Sequence, residues 1–369
     1  MKKIPVSEPL LDGKELEYVT DCLKSGWVSS GGKYTVEFEN KFSRYINAKH
    51  SITSCNGTTA LHLAVLSLGI GNNDEVIVPN FTMIASVNPI VYTGAKPVFV
   101  DVEPRTWNID INKIEENITE KTKAIMTVHI FGHPCDMDPI LAIAKKHDLF
   151  TIEDAAEAIG AEYKKKKVGC LGDVGAFSFY GNKIITTGEG GMTVTNNDEL
   201  AERIRLFKNH WFDKERTYIH KNVGFNYRMT NIQAAIGLAQ LENVEKHIKI
   251  KRKIAQNYNR LLKEVDGIRT PIEEKWAKNV FWMYAILIQN SFGKQRDFLR
   301  KELEKLGIDT RLLFAPMNSQ PCFKFLNDNN HYPVTEDLYK GGFYLPSGLR
   351  LSEEEIRYVT DSIKTIKSM

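Results

Sequence analysis

The chain has 369 residues, 42% of them hydrophobic, and a formal charge of +3. That is enough for a large core in two units, and too near neutrality to point to nucleic acid. No apolar run approaches a membrane span, no signal-like segment opens the chain, and five cysteines lack paired spacing, so a reducing cytoplasm is the expected setting.

Residues 1–9 read as extended, and 12–23 as a helix with Leu16, Val19 and Leu23 at helical spacing. Residues 25–34 form a glycine-rich loop with Trp27, Ser29 and Tyr34; on composition alone this is a surface loop with an anchoring aromatic. Residues 37–46 are an amphipathic helix with Phe38, Phe42 and Tyr45 on one face. From 52 to 195 short apolar runs alternate with helical segments, which predicts a largely parallel sheet covered by helices on both faces. The expected strands are 76–78, 98–101, 124–129, 150–153, 176–180 and 192–195. Helices follow at 198–207, 232–241 and 244–265, with 208–221 a long polar and aromatic loop between the first two. A strand at 280–288, a helix at 294–306, a strand at 308–311 and a last helix opened by the capping box Ser352-Glu-Glu-Glu355 complete the chain.

Three segments carry chemistry. Residues 174–191 read as a buried strand, a Gly181-Asn182 turn that delivers Lys183, and a glycine-rich loop that permits positive φ and close backbone approach. A lysine so placed is a candidate Schiff-base nucleophile, although most lysines at strand ends are merely solvated. A second strand ends in Asp154, and a buried acid there needs a cation or a raised pKa. The turn Asn56-Gly57-Thr58 opens an apolar helix whose free N–H groups and dipole favour a phosphate; a plain N-cap is the alternative, and both can hold. In parallel sheets ligands collect at the C-terminal strand ends, where these three pieces converge. A lysine, an aspartate for a pyridine nitrogen and a helix N-terminus for a phosphate are what pyridoxal 5′-phosphate requires.

These segments closely resemble the DegT/DnrJ/EryC1/StrS family of fold-type I, pyridoxal-phosphate-dependent sugar aminotransferases, from about Ile4 to the C-terminus. Residues 129–137 and 224–231 are most similar to the branch acting on GDP-linked sugars. The resemblance implies an α/β fold: a large, mostly parallel PLP-binding domain at 10–243, and a smaller α+β C-terminal domain at 244–369 joined by 1–9. It implies Lys183 as covalent anchor and proton carrier, and Asp154 at the ring nitrogen. Gly57, Thr58 and Ser178 fall at the phosphate, and Glu157 near the phenolic oxygen, with a solvated helix face as its alternative reading. Asn226 reaches the partner subunit's phosphate in a homodimer with shared sites; a turn asparagine is the alternative. Trp27, Ser29, Tyr34, His129 and Arg311 become candidates for contact with the sugar. Met83 departs from the family, which often has an aromatic ring on the cofactor face here; sulfur packs against rings too, and Phe81 could partly substitute.

The implied reaction moves an amino group from L-glutamate to C4 of a nucleotide-linked 4-keto-6-deoxyhexose, with GDP, UDP and dTDP all open. A dehydratase of the same family would carry histidine in place of Lys183, and a non-catalytic regulator could have lost Lys183 or Asp154; both residues are present. No metal is expected: the His-x3-His-x-Cys spacing from His129 is not a recurring zinc framework, and Pro134 breaks any helix that would align it.

Overall fold

Short β-branched runs separated by helix signals build one seven-stranded sheet in the computed structural model, which describes residues 3–212, 215 and 218–369. Two helices come first, α1 (Glu15–Ser25) and α2 (Lys33–Ile46). Then follow β1 (His50–Ser54), α3 (Gly57–Ser67), β2 (Glu75–Pro79), α4 (Ile84–Tyr92), β3 (Lys96–Val100), β4 (Thr122–Val128), α5 (Met137–Lys146) and β5 (Phe150–Asp154). A small hairpin, β6 (Glu162–Tyr163) and β7 (Lys166–Lys167), precedes β8 (Val174–Ser178), β9 (Gly191–Thr195), α6 (Asp198–Lys208) and α7 (Asn231–Glu242).

The sheet order is β1-β9-β8-β5-β4-β2-β3. Strands β8, β5, β4, β2 and β3 run parallel, and β9 is antiparallel to both of its neighbours. Both faces are buried, and the period of two sorts side chains between them: Val76 and Val78 of β2 join one apolar cluster, Ile77 the other. Because all the parallel strands end on one edge, Asp154 at the end of β5 and Ser178 at the end of β8 arrive side by side.

The chain continues through α8 (Val244–Leu262), β10 (Ile268–Arg269), β11 (Ala277–Lys278), β12 (Tyr284–Ile288), α9 (Arg296–Lys305), β13 (Arg311–Leu312), α10 (Pro333–Gly341), β14 (Gly342–Leu345) and α11 (Glu353–Ser368). A four-stranded sheet, β10-β12-β14-β13, packs against α8, α9 and α11 around Tyr258, Leu299, Phe343 and Val359. Ile4 joins this third cluster and pairs with Ile308. No helix among the described residues is long and apolar enough to cross a membrane.

Several expectations need correction. Helix α1 buries Glu15 and Cys22, whereas Leu16 is 81% exposed. The reason is a polar anchor: the Glu15 carboxylate accepts from Gln240 Nε2 at 2.6 Å and from Gly13 N–H at 2.8 Å, which turns Leu16 and Leu23 outward. Tyr34 belongs to α2 rather than to the preceding loop. Asn197 caps α6, which runs one residue past the expected end, to Lys208. The strand expected at 280–288 begins only at Tyr284, because Val280 and Trp282 donate their N–H groups to Gly132 and Phe131 instead. Residues 213, 214, 216 and 217 of the long loop lie outside the described residues.

Candidate active site

A cavity of about 1040 Å³ opens over the C-terminal edge of the large sheet and is closed on its far side by β13, β14 and the segment before β12. Gly57, Thr58, Met83, Asp154, Glu157, Ser178, Lys183 and Arg311 all line it. Positions spread over more than 250 residues therefore meet in one place.

The anion cradle is local. Asn56 and Thr59 form a reciprocal capping box that satisfies the N–H groups of residues 59 and 56. The N–H groups of Gly57 and Thr58 are left without a partner among the described residues, at the positive end of α3. A Cβ on Gly57 would lie 2.7 Å from Ser178 Cβ, so only glycine lets α3 start this close to β8. Gly188, in the loop after Lys183, adopts φ of 81°, the left-handed conformation that loop was expected to need.

Asp154 is buried and accepts from Ser86 Oγ at 2.6 Å and from Ala156 N–H at 3.0 Å. Burial pushes its carboxyl upward against those two hydrogen bonds and the nearby Lys183 charge. Glu157 accepts from Phe131 N–H at 2.7 Å, and burial pushes it up to about 7. Lys183 is pulled below its ordinary value by burial, opposed by Glu157 and Asp154. The site thus holds two acids and one amine whose proton affinities are all displaced by desolvation. This donor set fits pyridoxal phosphate: free N–H groups for a dianion, a buried acid for a ring cation, and an amine free to form the covalent link.

Other candidates fall elsewhere. His129 does not reach the cavity: its Nε2 lies 3.1 Å from Glu153 Oε2 and its Nδ1 accepts from Cys135 N–H at 3.0 Å. Against the cost of burial, His129 and the N–H groups of Gly169 and Gly172 hold Glu153 below the usual carboxylate range, so this pair braces the end of β4 against β5. Phe81 is also withdrawn, packed edge-on against Phe131, which leaves Met83, 48% exposed, alone at that wall. Trp27 and Tyr34 line a separate hollow of about 330 Å³ with Asn231, and Ser29 is exposed beside them. Asn226 is exposed, bridges to Asn209 and does not line the cavity of its own chain.

Tyr344 and Trp282 are among the lining residues that escaped sequence reading. Tyr344 of β14 is buried with a hydroxyl that has no partner among the described residues. Trp282 lies against Lys183 itself. Neither sits in a motif: the four-stranded sheet brings Tyr344 to the cavity, and the bonds of the segment before β12 to Gly132 and Phe131 bring Trp282.

Met83 yields a direct test. An aromatic contact adds about 0.5–1.5 kcal/mol beyond burial, so Met83→Tyr should tighten pyridoxal phosphate binding by up to about tenfold. Unchanged or weaker cofactor affinity in a fluorescence titration would remove Met83 from the ring face.

A family model described as the DegT/DnrJ/EryC1/StrS aminotransferase family matches residues 9–364. The chain is 47% identical over 367 residues to a GDP-perosamine synthase of Caulobacter vibrioides, covering 99% of each chain. It is 48% identical over 368 residues to a GDP-perosamine synthase of Escherichia coli O157:H7, covering all of both. Among solved structures it is similar to Helicobacter pylori PseC, an aminotransferase involved in pseudoaminic acid biosynthesis, with TM-score 0.94, 28% identity and full coverage of both chains.

Proposed function

Since the chain belongs to the DegT/DnrJ/EryC1/StrS family and is a pyridoxal-phosphate-dependent aminotransferase, we propose that it transfers the amino group of L-glutamate to C4 of a GDP-linked 4-keto-6-deoxyhexose, giving GDP-perosamine. The observation that carries this reading is the convergence of Lys183, Asp154 and the open N-terminus of α3 on one cavity large enough for a cofactor and a sugar. The two similar synthases support the choice of GDP over UDP or dTDP.

Bound pyridoxal phosphate supplies an electron-withdrawing ring that makes a neighbouring C–H acidic. Gly57, Thr58 and Ser178 would hold its phosphate, and Asp154, fixed by Ser86 and Ala156, its ring nitrogen. Lys183 would anchor it covalently and, as a free neutral amine, would take a proton from one carbon and return it to another across the intervening nitrogen. Burial lowers its affinity for protons, which favours the neutral form that this work needs. Glu157, fixed to Phe131 N–H, stands within the electrostatic reach of Lys183 and balances its charge. Arg311, paired with Asp309 at 3.0 Å, offers a cation at the mouth for an anionic substrate group. Incubation with glutamate and a panel of GDP-, UDP- and dTDP-linked 4-keto-6-deoxyhexoses, with mass detection of the aminated product, tests the reading. Preferential amination of a UDP or dTDP sugar would overturn the choice of nucleotide, and no amination of any would overturn the reaction.

The active unit is a homodimer in which Asn226 acts in trans. Its exposure and its absence from the lining of its own chain's cavity, with the apolar surface exposed at Leu16, Leu23 and Trp27, support that arrangement. Lys183→Ala and Asn226→Asp chains should then complement each other. In a mixed dimer one site carries both lesions and the other neither, so a scrambled equimolar mixture should recover about a quarter of wild-type activity. No recovery despite proven subunit exchange would remove Asn226 from the partner's site.

A further inference from the structure

Lys183 Nζ lies 3.6 Å from the centroid of the Trp282 ring and has no hydrogen-bond or ion-pair partner among the described residues. The same indole donates its Nε1–H to the carbonyl of Asn182, the residue immediately before Lys183, at 2.7 Å. Trp282 is itself pinned from two sides. Its N–H donates to Phe131 O at 2.9 Å, and its carbonyl accepts from Lys251 Nζ of α8 at 2.9 Å. Lys251 also donates to Ser347 O at 2.6 Å, is fully buried without a carboxylate, and is pushed down to about 7 by that burial. A residue 99 positions downstream therefore grips both the backbone and the amine of the reactive lysine.

We propose that Trp282 is the positioning residue of Lys183: its ring face holds the ammonium form of the side chain, and its indole N–H fixes the peptide that carries it. The physical reason lies in what a π face lacks. A carboxylate in contact would lock the amine as a salt bridge and remove its lone pair from use. A ring face attracts the cation and makes little demand on the neutral amine. Lys183 must alternate between those two forms, so a partner that favours the cation without binding the base suits a group that both takes and returns a proton. The other charged groups near Lys183 are Asp154 and Glu157 from the end of β5; Tyr344 of β14 faces Glu157, and Lys251 stands behind Trp282. His247 of α8 reaches only the carbonyl of Ile184.

The inference rests on Lys183 being the reactive lysine, and its test is read on the full-length, cofactor-free chain so that the two fail separately. Lysine labelling by isotopically coded acetic anhydride, followed across pH and resolved at Lys183 by mass spectrometry, reports the midpoint at which its amine becomes neutral. Removing the ring face withdraws support from the ammonium form, so Trp282→Leu should lower that midpoint by about one pH unit, a tenfold change in the protonation equilibrium. Trp282→Phe keeps a weaker face and should shift it in the same direction by about 0.3 unit or more. Better access in a truncated variant raises the labelling rate at every pH but leaves the midpoint in place, which separates positioning from mere opening of the site. If Trp282→Leu does not fold, Trp282→Phe decides alone. An unmoved midpoint in a folded variant overturns the proposal. An intact shift without any transamination would instead overturn the role given to Lys183.

Discussion

Lys183→Ala should retain pyridoxal phosphate without a covalent link and lose turnover by at least about 10⁴-fold. Binding should survive because the N–H groups of Gly57 and Thr58, Ser178 and the Asp154 carboxylate do not depend on residue 183. Turnover should not survive, because no other described lysine lines the cavity to carry the proton. Loss of the amine also leaves Asp154 and Glu157 as two buried acids without their neighbouring cation. In the cofactor-free variant their proton affinities should rise further, since the Lys183 charge lowers both. Borohydride treatment of wild type, followed by peptide mapping, should place the reduced cofactor on Lys183. A label on another lysine would sink the assignment, and so would a variant that still turns over.

The second large effect is expected from Asp154→Asn. Asparagine fills the same volume and can still accept from Ala156 N–H, so the fold and cofactor retention should persist. What disappears is the negative charge proposed to face the ring nitrogen, in a setting where burial makes that charge count. The Thr82–Ser86–Asp154 hydrogen-bond chain, with links of 2.7 and 2.6 Å, shows how the carboxylate is held for that task. The kcat should fall about 10²–10³-fold, with the affinity for pyridoxal phosphate reduced far less. A variant with kcat within a few-fold of wild type would mean that the ring nitrogen does not depend on Asp154 for its proton.

Both predictions use residues that could be found before any coordinates, and the reason is local. Lys183 follows its strand by a tight turn, Asp154 terminates another, and Asn56 caps its helix through residues three positions away. Chemistry built from contacts so near in sequence leaves a pattern of apolar runs, glycines and turn residues. The parallel sheet was legible for the same reason: its strands are buried on both faces and read as continuous apolar runs. Strand β1 escaped that reading, since His50-Ser-Ile-Thr-Ser54 is mostly polar and is buried by its pairing with β9 and by the helices packed on it.

Tertiary structure alone decided the rest. His129 and Asp154 both end strands, yet one turns into the core toward Glu153 while the other meets the cavity; their neighbours in space, not their positions in strands, make the difference. Trp282 and Tyr344 carry no motif, and they reach Lys183 and its cavity because β12 pairs with β14 and the segment before β12 bonds to Phe131 and Gly132. Leu16 looks inward by helical spacing and faces out because a buried glutamate anchors the opposite side of α1. Periodicity and turn chemistry are written into neighbouring residues. The partner a side chain meets across 100 or more residues depends on the packing of whole elements, and no local pattern encodes it.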